Sequence, residues 1–234
     1  SALAQEPAPV PGAPAPSGPP RAVAVLAVED DDHPVTERLG VELFGRFLED
    51  GPYARVLYVT GQDDDSARLA ATIREAAAQA DAIDVFAAVH TTARGADELR
   101  AAIPAPVAAR LRLVYSTACY GAEAEREAWK ALGARTVVTH QGLNVPQVAL
   151  PYVLSRWIGG APIGPSVAEG YRETQLTMSL TADVVGAVSS SFGLYGMHPS
   201  AFDWTGCRPV VSGDAALTIS SGAPGLRPGT PEPL

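Results

Sequence analysis

Apolar residues in this chain fall into two patterns, short unbroken runs and longer stretches with an apolar residue every third or fourth position. Residues 22–28 are a continuous apolar run, which predicts a strand buried on both faces. Over 35–48, Val35, Leu39, Leu43, Phe44 and Phe47 recur near helical spacing, and Gly51-Pro52 ends the element. A second strand is predicted over 55–60. A turn follows at 61–65, then an Ala-rich helix over 66–80 capped by Asp65 or Ser66. The run 83–90 predicts a third strand, and the run from Leu111 a fourth. Residues 95–110 between them are long enough for one crossover helix. Beyond lie a helix over 123–132 closed by Gly133, a strand over 136–140 and a loop over 141–151. A helix over 152–158 is broken by Gly159-Gly160, and another starts at 166 after Pro165 and runs on towards Val185. Residues 189–204 read as a Gly-, Ser- and aromatic-rich loop, and 216–219 as a last short strand.

Strands alternating with helices predict an α/β fold. The expectation is a doubly wound three-layer sandwich around a mostly parallel sheet of about six strands. Residues 21–221 form its single domain. Residues 1–20 hold seven prolines and no periodicity, so they read as a disordered Pro/Ala-rich leader. Residues 222–234 read as a disordered tail.

Composition narrows the partners. A net charge of −9 argues against nucleic acid, which would want a basic face. No run of 18 apolar residues is present, so no membrane span is expected. Two cysteines cannot build a disulfide framework or a four-cysteine zinc site, although a single Cys119–Cys207 bridge stays open. Ala2-Leu3-Ala4 is like the small-residue end of a cleaved secretory signal, and a Pro-rich spacer after export is common in bacterial envelope proteins. An extracytoplasmic location is the expectation, with an ordinary linker as the alternative.

Candidate chemistry gathers at 83–121. The third strand run ends in His90, and the fourth leads into Cys119. Neighbouring parallel strands deliver such residues to one edge of the sheet, where open α/β sheets place their sites. A His and a Cys meeting there can form a thiolate–imidazole nucleophile. Other common sites are absent: no Gly-x-Gly-x-x-Gly follows the first strand, and there is no Gly-Lys-Ser loop and no Gly-x-Ser-x-Gly elbow. His33, His90, His140 and His198 lack metal-ligand spacing, so no metal or cofactor is expected.

These residues resemble the caspase-like clan of cysteine peptidases, which includes caspases, legumains, clostripain, gingipains and CHAT-domain proteases. Thr117-Ala118-Cys119-Tyr120-Gly121 resembles the clan's "Ala-Cys-x-Gly" motif, and Gly213-Asp214-Ala215-Ala216-Leu217 resembles the late Gly-Asp strand of gingipain-like domains. The likeness spans about residues 22–219. It implies His90 and Cys119 as the catalytic dyad, with the backbone N–H groups of Thr91 and Cys119 as the oxyanion hole. It also implies a peptide or protein substrate. The chain departs from the clan where Thr91-Thr92 replaces the usual Gly after the His. Asp30, Asp31 and Asp32, at the end of the first strand, are where acidic pocket residues sit in members that prefer basic residues, and Gln141 faces the same edge. The expected activity is cysteine endopeptidase. The alternatives are a non-cutting pseudopeptidase or binding domain on the same fold, and an unrelated flavodoxin-like ligand-binding domain.

Overall fold

The structure is a computed structural model that describes residues 21–29, 34–61, 66–89, 96–142, 146–191 and 208–221. Six strands form one sheet: β1 (Ala22–Glu29), β2 (Arg55–Gly61), β3 (Ala82–Ala88), β4 (Leu111–Ser116), β5 (Thr136–Gln141) and β6 (Arg208–Gly213). Their order is β2-β1-β3-β4-β5-β6. The first five run parallel, and β6 pairs antiparallel with β5 at the edge. This is the α/β, mostly parallel, six-stranded sheet that the alternation of patterns predicts.

The inner strands are covered on both faces, and β1 is apolar on each for that reason. In β1, Val23, Val25 and Ala27 join one core cluster, whereas Ala24, Leu26 and Val28 join another. The first face packs on α2 (Ser66–Gln79), α3 (Ala96–Ala102), α4 (Ala105–Ala108) and α5 (Ala122–Leu132). The second packs on α1 (Pro34–Glu49), α6 (Pro146–Ile158) and α7 (Ile163–Ser191). Among the described residues, no helix is long and apolar enough to cross a membrane.

Four expectations need correction. The single crossover helix over 95–110 is two short helices, because Pro104 between α3 and α4 lacks the N–H that continuity requires. The loop over 141–151 is largely replaced by α6, which begins at Pro146, where a missing N–H costs nothing. Pro151 lies inside α6 and forgoes one bond to the Gln147 carbonyl. The long helix starts at Ile163 and reaches Ser191, beyond the expected start of a loop at 189. The last strand is Arg208–Gly213, not 216–219. Pro209 is tolerated there because an edge strand leaves one row of backbone groups unpaired. Leu217 and Ile219 are buried, but as anchors of a turn rather than as strand residues.

The amino end of the sheet holds a closed polar network. Between Ile83/Asp84 and the facing residues of β4 the register shifts, and the extra residue is Arg112. The Arg112 guanidinium donates to both Asp84 carboxylate oxygens, at 2.9 and 2.5 Å. It also donates to the carbonyls of Ile219 and Ser221, at 2.6 and 2.9 Å. The Tyr53 hydroxyl donates to Asp84 at 2.8 Å and accepts from Trp157 Nε1 at 2.8 Å. Burial, and then the Asp84 carboxylate, push the Tyr53 phenol well above its ordinary value. Two buried opposite charges are tolerable here because their remaining donors and acceptors are met.

Candidate active site at the carboxyl edge of the sheet

Cys119 sits three residues past the end of β4, on a turn tied to both neighbouring strands. The Thr117 N–H donates to the Ala87 carbonyl of β3 at 2.9 Å, and Thr117 Oγ1 approaches the Val89 carbonyl at 3.5 Å. Ala118 is buried, and its N–H points to Ser116 Oγ at 3.4 Å. On the other side, the Tyr120 N–H donates to the Gly142 carbonyl just past β5 at 2.9 Å. Tyr120 itself has φ 55°. A Cβ on Gly121 would meet Glu125 Cγ at 2.9 Å and Ala118 Cβ at 3.1 Å, so a side chain there would have to displace its neighbours. Cys119 is half-buried within this turn and carries a thiol, not a disulfide.

Polar groups buried behind the turn hold Ser116 from both faces of the sheet. On the α5 face, Ser116 Oγ donates to the buried Glu125 carboxylate at 3.1 Å. On the opposite face, His140 Nδ1 lies 2.8 Å from the Ser116 carbonyl. A carbonyl can only accept, so Nδ1 carries the proton and Nε2 is an acceptor. The Tyr171 hydroxyl of α7 donates to that Nε2 at 2.5 Å, and Tyr115 Oη donates to Tyr171 Oη at 3.3 Å. Burial lowers the His140 pKa from 6.5 to about 4; the bond to Ser116 acts the other way and is the weaker influence. His140 is therefore a neutral, fully buried group near pH 7. It is a structural residue.

The predicted site residues divide accordingly. Cys119 and Gln141 stand at the carboxyl edge, Gln141 exposed at the end of β5. His90, Thr91, Asp30, Asp31, Asp32 and Cys207 lie outside the described residues. Val89, the residue before His90, is the one whose carbonyl faces Thr117. Asp214 of the Gly-Asp turn pairs with Arg135 at 2.5 Å and accepts from the Ala216 N–H at 3.0 Å, which makes it a structural residue. Among the described residues, no three His, Cys, Asp or Glu side chains come together to hold a metal ion.

Sequence reasoning missed the support behind the turn. Glu125 has the spacing of an ordinary exposed helix residue. The signal lies in the small residues before it: Gly121 and Ala118 leave the room that its side chain fills. Tyr120 was passed over as well, although an aromatic residue next to a candidate nucleophile could have been singled out. Compared with models of protein families and with curated proteins, the chain matches none.

Proposed function

We propose that this chain is a cysteine endopeptidase of the caspase-like type. One observation carries the reading: a half-buried thiol on a tight turn at the carboxyl edge, tied by hydrogen bonds to the ends of β3 and β5. His90 follows Val89, the described residue just past β3. In this reading the Cys119 thiolate attacks the scissile carbonyl, and the N–H groups of Cys119 and Thr91 hold the resulting oxyanion. His90 takes the thiol proton and gives it to the departing amine, leaving an acyl-enzyme. Water, deprotonated by His90, then attacks the thioester and releases the acid. Asp30, Asp31 and Asp32 favour Arg or Lys before the scissile bond, since acidic groups in a partly dry pocket attract a cation.

The test uses the full chain and a peptidyl alkylator with Arg at its reactive end. Peptide mapping should find modification at Cys119, fast at mildly acidic pH, with Cys207 slow. His90→Ala should slow it strongly. A matched alkylator ending in Asp or Leu should react more slowly. If Cys119 and Cys207 label at equal rates and His90→Ala changes neither, the peptidase reading fails and a non-cutting binding domain replaces it.

A further inference from the structure

Tyr120 stands out on three counts. It follows the nucleophile directly, it has φ 55°, and it is 76% exposed. The left-handed region suits Gly, Asn or Asp, and a bulky side chain there is a genuine outlier. No fold-stabilising return is visible for it. Among the described residues, its side chain has no hydrogen bond, ion pair or ring contact. The backbone, by contrast, is fixed: its N–H is bound to Gly142, Ala118 before it is buried, and Gly121 after it is hemmed in by Glu125. The ring is thus held out into solvent one residue after Cys119, on a turn with little freedom to withdraw it. Strain of this kind, kept without a packing reason, is typical of ligand contacts.

We propose that the Tyr120 ring forms the subsite for the residue after the scissile bond and selects an apolar or aromatic side chain there. This rests on the peptidase reading. The side of the bond follows from the strand order. The acidic residues proposed to hold the preceding residue follow β1, which lies on the β3 side of β4. Tyr120 is tied to the end of β5, on the opposite side. A substrate laid across the edge therefore turns its following residue towards Tyr120. Gln141 and Gly142, at the end of β5 to which the Tyr120 backbone is tied, carry no charge. An exposed aromatic face favours apolar and aromatic partners, in offset or edge contact.

The experiment measures cleavage of peptides that share Arg before the bond and carry Phe, Leu, Gly or Asp after it. The wild-type chain should prefer Phe and Leu over Gly by about three- to tenfold, the usual scale of one aromatic contact. Tyr120→Phe should keep the preference. Tyr120→Gly, which takes positive φ without strain, should bring Phe and Leu peptides down to the rate of the Gly peptide. Alkylation of Cys119 by iodoacetamide, a reagent too small to reach the ring, should change less than about twofold, within the scatter of an indirect effect. The inference is overturned if the preference survives Tyr120→Gly. It is also overturned if iodoacetamide alkylation falls in step with cleavage, since the ring would then be supporting the turn. If the wild-type chain cuts no peptide, the peptidase reading fails by itself. The same peptides are then tested for binding: Phe and Leu enrichment that Tyr120→Gly abolishes sustains the subsite, and its absence ends it.

Discussion

The two ends of this sheet solve the same problem in opposite ways. Both bury polar side chains among apolar strands. At the amino end, Asp84, Arg112, Tyr53 and Trp157 satisfy one another and draw in two backbone carbonyls, so the charged pair is buried and its bonds turn inward. At the carboxyl end, Glu125 and His140 fix Ser116 from behind, while Cys119 and Tyr120 in front remain reachable. The first arrangement contributes stability and specificity of register. The second uses its buried bonds to aim a turn outward. The difference is not in the number of polar groups but in whether the last one faces inward or out.

The strongest challenge to this contrast is Arg112→Ala. It leaves the Asp84 carboxylate buried without its cation, which should destabilise the chain by about 3–5 kcal/mol in urea denaturation. Iodoacetamide alkylation of Cys119 in the folded fraction should hardly change. Equal effects on stability and on thiol reactivity would mean that the ends are not separable.

Acid sharpens the same contrast. His140 takes up a proton near pH 4 when folded but near 6.5 when unfolded. Its folded-state value is depressed, so stability is undiminished above pH 6.5 and falls as pH drops towards 4. At about 1.4 kcal/mol per unit, the ceiling on this loss is about 3.5 kcal/mol. Urea midpoints at pH 7, 6, 5 and 4 should show it. His140→Gln, which cannot titrate, should flatten the slope by about one proton.

Gly121→Ala tests the outward-facing turn. The added methyl meets Glu125 and Ala118, and overpacking of this kind costs about 1–3 kcal/mol. Here the change in Cys119 alkylation should exceed that seen in Arg112→Ala, although the loss of stability is smaller. Ser116→Ala removes one buried hydroxyl and should cost about 1 kcal/mol. It should alter Cys119 alkylation in the same direction as Gly121→Ala, because both loosen the same support.

The parallel core was legible because residues 22–28, 55–60, 83–90 and 111–116 are dense apolar runs, and burial on both faces demands that composition. Gly133 was legible as a helix stop, and it does adopt φ 117° after α5. Proline misled in both directions. Pro104 breaks a stretch that its alanines present as continuous, whereas Pro146 and Pro209 lie where their elements tolerate them by position, and Pro151 sits inside α6 at the cost of one bond. The Asp84–Arg112 pair was written in the sequence as a charge inside each of two apolar runs. Only the register shift brings them together, and no local pattern encodes it. For the site, position on the edge was legible for Cys119 and Gln141. The bonds from Glu125 and His140 to Ser116 span 9 and 24 residues and depend on how the layers meet.

The bonds from Arg112 to Ile219 and Ser221 have a temporal consequence. Their partners lie 107 and 109 residues further along the chain. At common synthesis rates, that separation corresponds to roughly 5–20 s on the ribosome. During that interval β1–β4 can already assemble, with Asp84 beside Arg112, yet two of the guanidinium's acceptors do not exist. A sheet of β1–β4 formed in that interval would carry a half-satisfied cation at its amino end. Residues 219–221 complete the guanidinium's set of acceptors, a latch that the chain supplies 107–109 residues after Arg112.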